Sequence, residues 1–159
     1  MKKFIAFAFF TTLIIACGPK KAQETTEPED NNTVGAEIVE APAEADGVYF
    51  LFPENGATVA SPVMVGFGVR GMEVEPAGEV KEGFGHHHIV VDGLFVEEGT
   101  IVPSDATHIH YGKGQLEAQI ELAPGKHTLT MQFADGVHKS YGEAWSKTIE
   151  INVEDPSAK

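Results

Sequence analysis

"QLEAQIELAPGKHTLTMQFA", residues 115–134, reads as two strands joined by a turn. In the first half Leu116, Ala118, Ile120 and Leu122 alternate with Glu117, Gln119 and Glu121. In the second half Leu129, Met131 and Phe133 share one parity. Successive strand side chains point to opposite faces, so a period of two marks a half-buried strand. Pro124 and Gly125 supply the turn between them. The pattern recurs outward in "VYFLF" (48–52), "VMVGFGVR" (63–70), "HHIVVD" (87–92), "THIHY" (107–111) and "SKTIEINVE" (146–154). Helical periodicity is almost absent, and turn signals such as "PENGA" and "ADG" separate the runs. The reading is all-β: an immunoglobulin-like antiparallel β-sandwich of about seven strands over residues 47–154, with 155–159 as a tail. Val63, Val65, Phe67 and Val69 are expected inside, as are Ile149, Ile151 and Val153. Gly66 and Gly68 on the other face of 63–70 mark a close approach or weak packing. The longest connection, 93–106, is expected to hold an edge strand around "GTIVP".

The N-terminus has a different character. "MKK" precedes the apolar run "FIAFAFFTTLII", the order found in secretory signals. The run is shorter than the roughly 20 residues of a spanning helix. It ends at "IIAC", which resembles a bacterial lipobox. Residues 1–16 are therefore expected to be a lipoprotein signal peptide, with Cys17 the lipidated, palmitate-bearing anchor. Gly18 rather than Asp follows Cys17, which by resemblance to lipoprotein sorting directs the chain to the outer membrane. Cys17 is the one cysteine, so no intrachain disulfide can form. Residues 17–46 are rich in Glu, Pro, Ala and Thr and read as a disordered acidic tether. The formal net charge is −13; without Lys2 and Lys3, nine basic side chains face 24 acidic ones, a balance of −15. Such a surface repels nucleic acid and anionic lipid and tolerates cations. The expected partners are the membrane, through Cys17, and an envelope protein or metal donor or acceptor.

Five of the seven histidines fall in two tight groups, His86, His87 and His88, then His108 and His110. Ile89 and Val91 set the inward parity of 87–92, which turns His87 in and puts His86, His88 and Asp92 on the opposite face. Ile109 does the same for 107–111, leaving His108 and His110 outside. Alternate residues on a strand lie about 7 Å apart and neighbouring strands about 4.8 Å apart. Two H-x-H pairs on adjacent strands would thus bring three or four imidazoles together, a nitrogen-rich site for copper or zinc. His86, His88, His108 and His110 are the candidate ligands, with His87 and His138 in reserve. Asp92 is a candidate second partner, fixing an imidazole tautomer. His127, in "PGKHTL", stands where immunoglobulin sandwiches place a tyrosine that bonds back to the backbone, and is expected to be structural. Met72 near imidazoles would favour copper, against the ordinary reading of a core methionine.

No G-x-S-x-G, phosphate-loop or HExxH motif is present, and "YGKGQ" joins strands instead of opening a helix. Metal binding or delivery is accordingly expected rather than catalysis, and no catalytic residue is assigned. The alternative is a non-catalytic protein- or glycan-interaction module whose histidines are hydrogen-bonded structural groups. A third is an enzyme whose metal keeps an open position.

"GHHHIVVDG", "HIHYGKGQ" and "LAPGKHTLTMQFADGVH" together resemble a bacterial exported domain family of unknown function. The matching positions are His86, His87, His88, Asp92, His108, His110, Gly112, Gln115, His127 and His138. The resemblance implies a small exported β-sandwich. A looser similarity, at fold level, is to periplasmic copper-binding sandwiches.

Overall fold

The computed structural model describes residues 45–157. The expected signal peptide, Cys17 and the tether as far as residue 44 lie outside the described residues. Nine strands follow in chain order: β1 (Gly47–Phe52), β2 (Ala57–Val59), β3 (Val63–Arg70), β4 (Glu73–Val74), β5 (Phe84–Val91), β6 (His108–His110), β7 (Glu117–Ile120), β8 (Gly125–Ala134) and β9 (Ser146–Val153). Among the described residues, one 3₁₀ turn, Glu143–Trp145, leads into β9. The strands form two sheets of a sandwich, as the alternating runs predict. One has the order β1-β3-β7. The other runs β2-β9-β8-β5-β4, with β6 also paired to β5. The two strands beyond the expected seven are β2 and β4. Each has three residues or fewer, and each pairs in parallel, β2 with β9 and β4 with β5. So short a segment carries no readable alternation.

Apolar parity decides what lies between the sheets. Val63, Val65 and Phe67 from β3 meet Ile89 of β5, Leu129, Met131 and Phe133 of β8, and Ile149, Ile151 and Val153 of β9. Each fully buried side chain of this size stabilises by about 1.5–3 kcal/mol. Leu116 departs from the expected face and is 55 % exposed. Pairing of β7 with β3 ends at Gly66 opposite Glu117, so Leu116 lies beyond the last paired residue. "GTIVP" forms no strand; Ile101 makes one isolated bridge to Lys139.

The glycines of β3 have a definite use. Tyr49 of β1 stands opposite Gly68. A Cβ at Gly68 would collide with the Tyr49 ring, and one at Gly66 would come within 2.7 Å of the Phe52 ring. Aromatic rings of the edge strand thus lie flat over bare backbone, and Arg70 caps the Tyr49 ring at 4.1 Å.

The second sheet has an unusual outer face. Its residues His86, His88, Val90, Thr130 and Gln132 are all buried. The strap 93–106 and the segment 135–145 cover them. Thr130 Oγ1 donates to Gly93 O at 2.7 Å, Gln132 Oε1 accepts from Val96 N at 3.0 Å, and Ser140 Oγ donates to Val96 O at 2.6 Å. The strap is thus pinned by polar side chains as well as by its backbone bridge to 138–140.

Gly68→Val should lower unfolding free energy by about 1–3 kcal/mol, the usual cost of overpacking. Urea denaturation checks this: an unchanged midpoint would mean that the Tyr49 ring is not held against β3.

Candidate metal centre

β5 alternates through its histidines. His87 points into the core, packing between Phe67 and Phe133 at ring centroid distances of 5.3 and 5.0 Å. His86 and His88 point to the covered outer face and are 0 % and 1 % exposed. β6 runs antiparallel beside β5, with His110 opposite His88, Ile109 opposite Ile89 and His108 opposite Val90. Tyr111 N donates to His87 O at 3.1 Å, so the same register continues and brings Gly112 beside His86. A Cβ at Gly112 would collide with the His110 ring. The bare backbone there lets that ring lean back toward His86.

The fourth histidine comes from a turn. His138 adopts φ 70, a left-handed conformation uncommon outside glycine. Asp135 shapes this turn: its Oδ1 accepts the backbone N–H groups of Val137 and Lys139, both at 2.9 Å. His138 N donates to Asp135 O at 3.0 Å. The ring then lies over His110.

His86, His88, His110 and His138 each offer a ring nitrogen within 4.8 Å of the other three. Every pair of their ring centroids lies between 4.5 and 5.8 Å. His110 Nε2 is 3.0 Å from His86 Nε2 and 3.0 Å from His138 Nε2. For tetrahedral zinc, bonds of about 2.0–2.1 Å separate neighbouring nitrogens by about 3.3–3.4 Å. The observed spacing brackets that value.

Burial keeps the His86, His88 and His110 rings neutral. It is the main cause in each case, and the neighbouring imidazoles add to it. His86 is lowered to about 4, His88 to about 2, and His110 is also lowered. Nδ1 of His86 and Nδ1 of His88 are buried without a hydrogen-bond partner. A neutral imidazole keeps one lone pair and is the form that binds metal; where Nε2 offers it, as in His86, Nδ1 carries the proton.

The remaining candidates lie elsewhere. His108 was expected among the ligands, but the antiparallel register carries it away from His86, and its Nδ1 sits 2.9 Å from Asp105 Oδ1. Asp92 was expected to orient an imidazole of the cluster; instead its Oδ2 is 2.8 Å from His127 Nδ1 and its Oδ1 accepts Thr128 N at 2.9 Å. His127 Nε2 lies 2.9 Å from Ala123 O, four residues upstream, the back-bond that the turn sequence suggests. The hydrogen bond that His127 donates to Asp92 is the main reason the His127 pKa is raised. His87 joins no cluster: both its nitrogens are buried without partners. Met72 packs against the hydrophobic core. Asp135, Gly112 and the strap pins Gln132 and Ser140 were not singled out by sequence as shaping a site. "ADG" signals a turn, but nothing in it tells where the turn is aimed.

Residues 65–154, more than half of the chain, match a domain family described as a domain of unknown function, DUF4399. The chain belongs to that family. No curated protein matches this DUF4399 chain. An X-ray structure of the endo-β-1,4-mannanase from Thermotoga petrophila is similar over 77 % of this chain and 21 % of its own, at 15 % identity and a TM-score of 0.42. The chain thus spans about a fifth of that structure's length.

The stability of the metal-free protein should fall as pH drops. His86 and His87 have folded values of about 4 against 6.5 in the unfolded chain. Between those values the unfolded state takes up protons that the folded state refuses, so acid favours unfolding across that window. Thermal melts at stepped pH measure the slope. His87→Leu should flatten it and leave stability near neutral pH unchanged or higher, since neither His87 nitrogen has a partner to lose. A marked loss of stability near neutral pH in that variant would reveal a partner for His87.

Proposed function

We propose that this domain binds a transition-metal ion, copper or zinc, through His86, His88, His110 and His138. In this reading it is an exported lipoprotein anchored through Cys17, and it binds or delivers metal at the cell envelope. The observation that carries the reading is the convergence of three Nε2 atoms on one point, 3.0 Å from His110 to each neighbour. A neutral imidazole nitrogen is either a donor or an acceptor. If His110 Nε2 carries a proton, it serves one neighbour and repels the other's proton. If it carries a lone pair, two donors compete for it. A single cation satisfies all three lone pairs at once.

The donor set supports the choice of ion. Imidazole suits copper and zinc, and neither thiolate nor carboxylate belongs to the cluster. The lipobox-like "IIAC" and the acidic composition support export and tolerance of cations. Metal delivery, the identity of the ion and the outer-membrane address rest on these sequence features and on the donor chemistry.

Calorimetric titration of chelator-stripped protein with Zn²⁺ or Cu²⁺ tests the reading. One ion per chain should bind, and saturation at 1,000 times Kd should stabilise the fold by about 4 kcal/mol. His138→Ala should weaken binding by more than about 100-fold, beyond the effect typical of losing an outer-shell partner. His108→Gln should leave affinity unchanged. The absence of heat and of thermal stabilisation with either ion would sink the proposal.

Gly112→Ala offers a separate check, because it alters no ligand. Pushing the His110 ring away from His86 should cost about 10–100-fold in affinity, as for other residues that orient a ligand. Equal affinities for this variant and the parent chain would mean that His110 reaches the ion from another direction.

A further inference from the structure

Four histidines do not seal the proposed ion. His88, His110 and His138 wall a recess of about 420 Å³, together with Ile101, Val102, Pro103 and Ser104 of the strap. His86 does not line it, so the recess approaches the cluster from the side away from His86. A water molecule takes up about 30 Å³. The space therefore accepts a small organic group, and it reaches the lower end of the size range for small-molecule sites, roughly 300 Å³ and above.

The walls say what kind of group. Beyond the imidazoles, the lining side chains are three apolar groups and one hydroxyl. They favour a ligand with an apolar body and offer no cation to an anionic one. The chain's formal charge of −13 also disfavours an anion approaching from solution. The ion itself, chosen by four imidazoles, favours another nitrogen donor. Zinc in sites open to a reacting group sometimes expands to five ligands.

We propose that the bound ion takes a further, exchangeable ligand from this recess, of the class with one neutral nitrogen donor on a compact apolar body, such as an imidazole. The proposal rests on the metal reading of the site. It makes the centre one that can be addressed by an incoming donor group, rather than a closed structural ion. The fixed half is His86 and His88, buried on β5. The accessible half is His110, exposed, and His138, partly exposed.

The test uses the protein loaded with one equivalent of Cu²⁺, followed by absorption and electron paramagnetic resonance. Titration with imidazole and with 4-methylimidazole should give a saturable spectral change, with copper still eluting with the protein. The methyl compound should bind about fourfold tighter, the gain expected for one buried methyl group. Azide should bind more weakly than either. Ser104→Trp, a change at an exposed position of the strap, should fill the recess and remove the response while leaving copper binding intact. An unchanged spectrum with copper bound overturns the proposal. So does release of copper into the low-mass fraction, or an equal response in Ser104→Trp. Failure of copper to bind before any ligand is added strikes the metal reading itself, and this inference with it.

Discussion

The antiparallel register between β5 and β6 is the constraint on which the centre depends. With His88 opposite His110 and His108 opposite Val90, the two H-x-H pairs overlap at one position only. They cannot form a square of four imidazoles. The place that a second strand histidine would have filled, beside His86, holds Gly112 instead. That vacancy on the backbone lets the His110 ring reach His86 Nε2 at 3.0 Å. The fourth ring has to come from outside the sheet, and the Asp135 turn supplies it. Shifting β6 by one residue would exchange Ile109 for the histidines on the core side, which the burial of the core forbids.

Placing the site on the outer face of a sheet has an energetic consequence. A sandwich normally leaves that face to water. Here the face carries neutral imidazoles, Thr130 and Gln132, all buried under the strap. Threonine and glutamine are satisfied by the segments they hold down. The imidazoles are not: Nδ1 of His86 and of His88 have no partner, and an unmade buried hydrogen bond costs about 1–3 kcal/mol. The cover therefore excludes water from buried polar atoms, at a cost to the fold. His87 and the Tyr111 hydroxyl, buried without partners on the core side, carry a similar cost.

Much of this was legible in the residues. Alternation located the long strands, the core faces of β3, β8 and β9, and the inward turn of His87 between outward His86 and His88. It was legible because a period of two translates directly into a face. The hidden parts are those that periodicity does not encode. β2 and β4 are too short to alternate. Leu116 has the right parity but lies past the end of its pairing. His108 and His110 have identical local patterns, and only the register of a neighbouring strand separates them. Asp92 looked like a partner for the cluster because it shares a parity with His86 and His88. It lies beyond the end of β5 at φ 54, however, where the chain turns toward His127. His138 was visible as a loop residue, but its aim depends on the carboxylate of Asp135 accepting two backbone N–H groups, a tertiary detail of the turn.

The strap and His138 are physically one unit. Val102 N donates to the carbonyl of His138 at 2.9 Å, and Ser140 N donates to Thr100 O at 2.9 Å. The segment that walls the recess is therefore hung on the turn that carries His138. If an ion fixes the His138 ring, it also fixes the backbone from which the strap is suspended. By linkage, ordering of the strap and binding of an ion would favour each other by the same factor. A group entering the recess touches His88, His110 and His138 on one side and the strap at Ile101, Val102 and Pro103 on the other. The two histidines on β5 sit on a strand that β6 and β8 hold on both edges. The site thus divides into a rigid floor and a yielding wall, and the division follows from which ligands lie on paired strands and which do not.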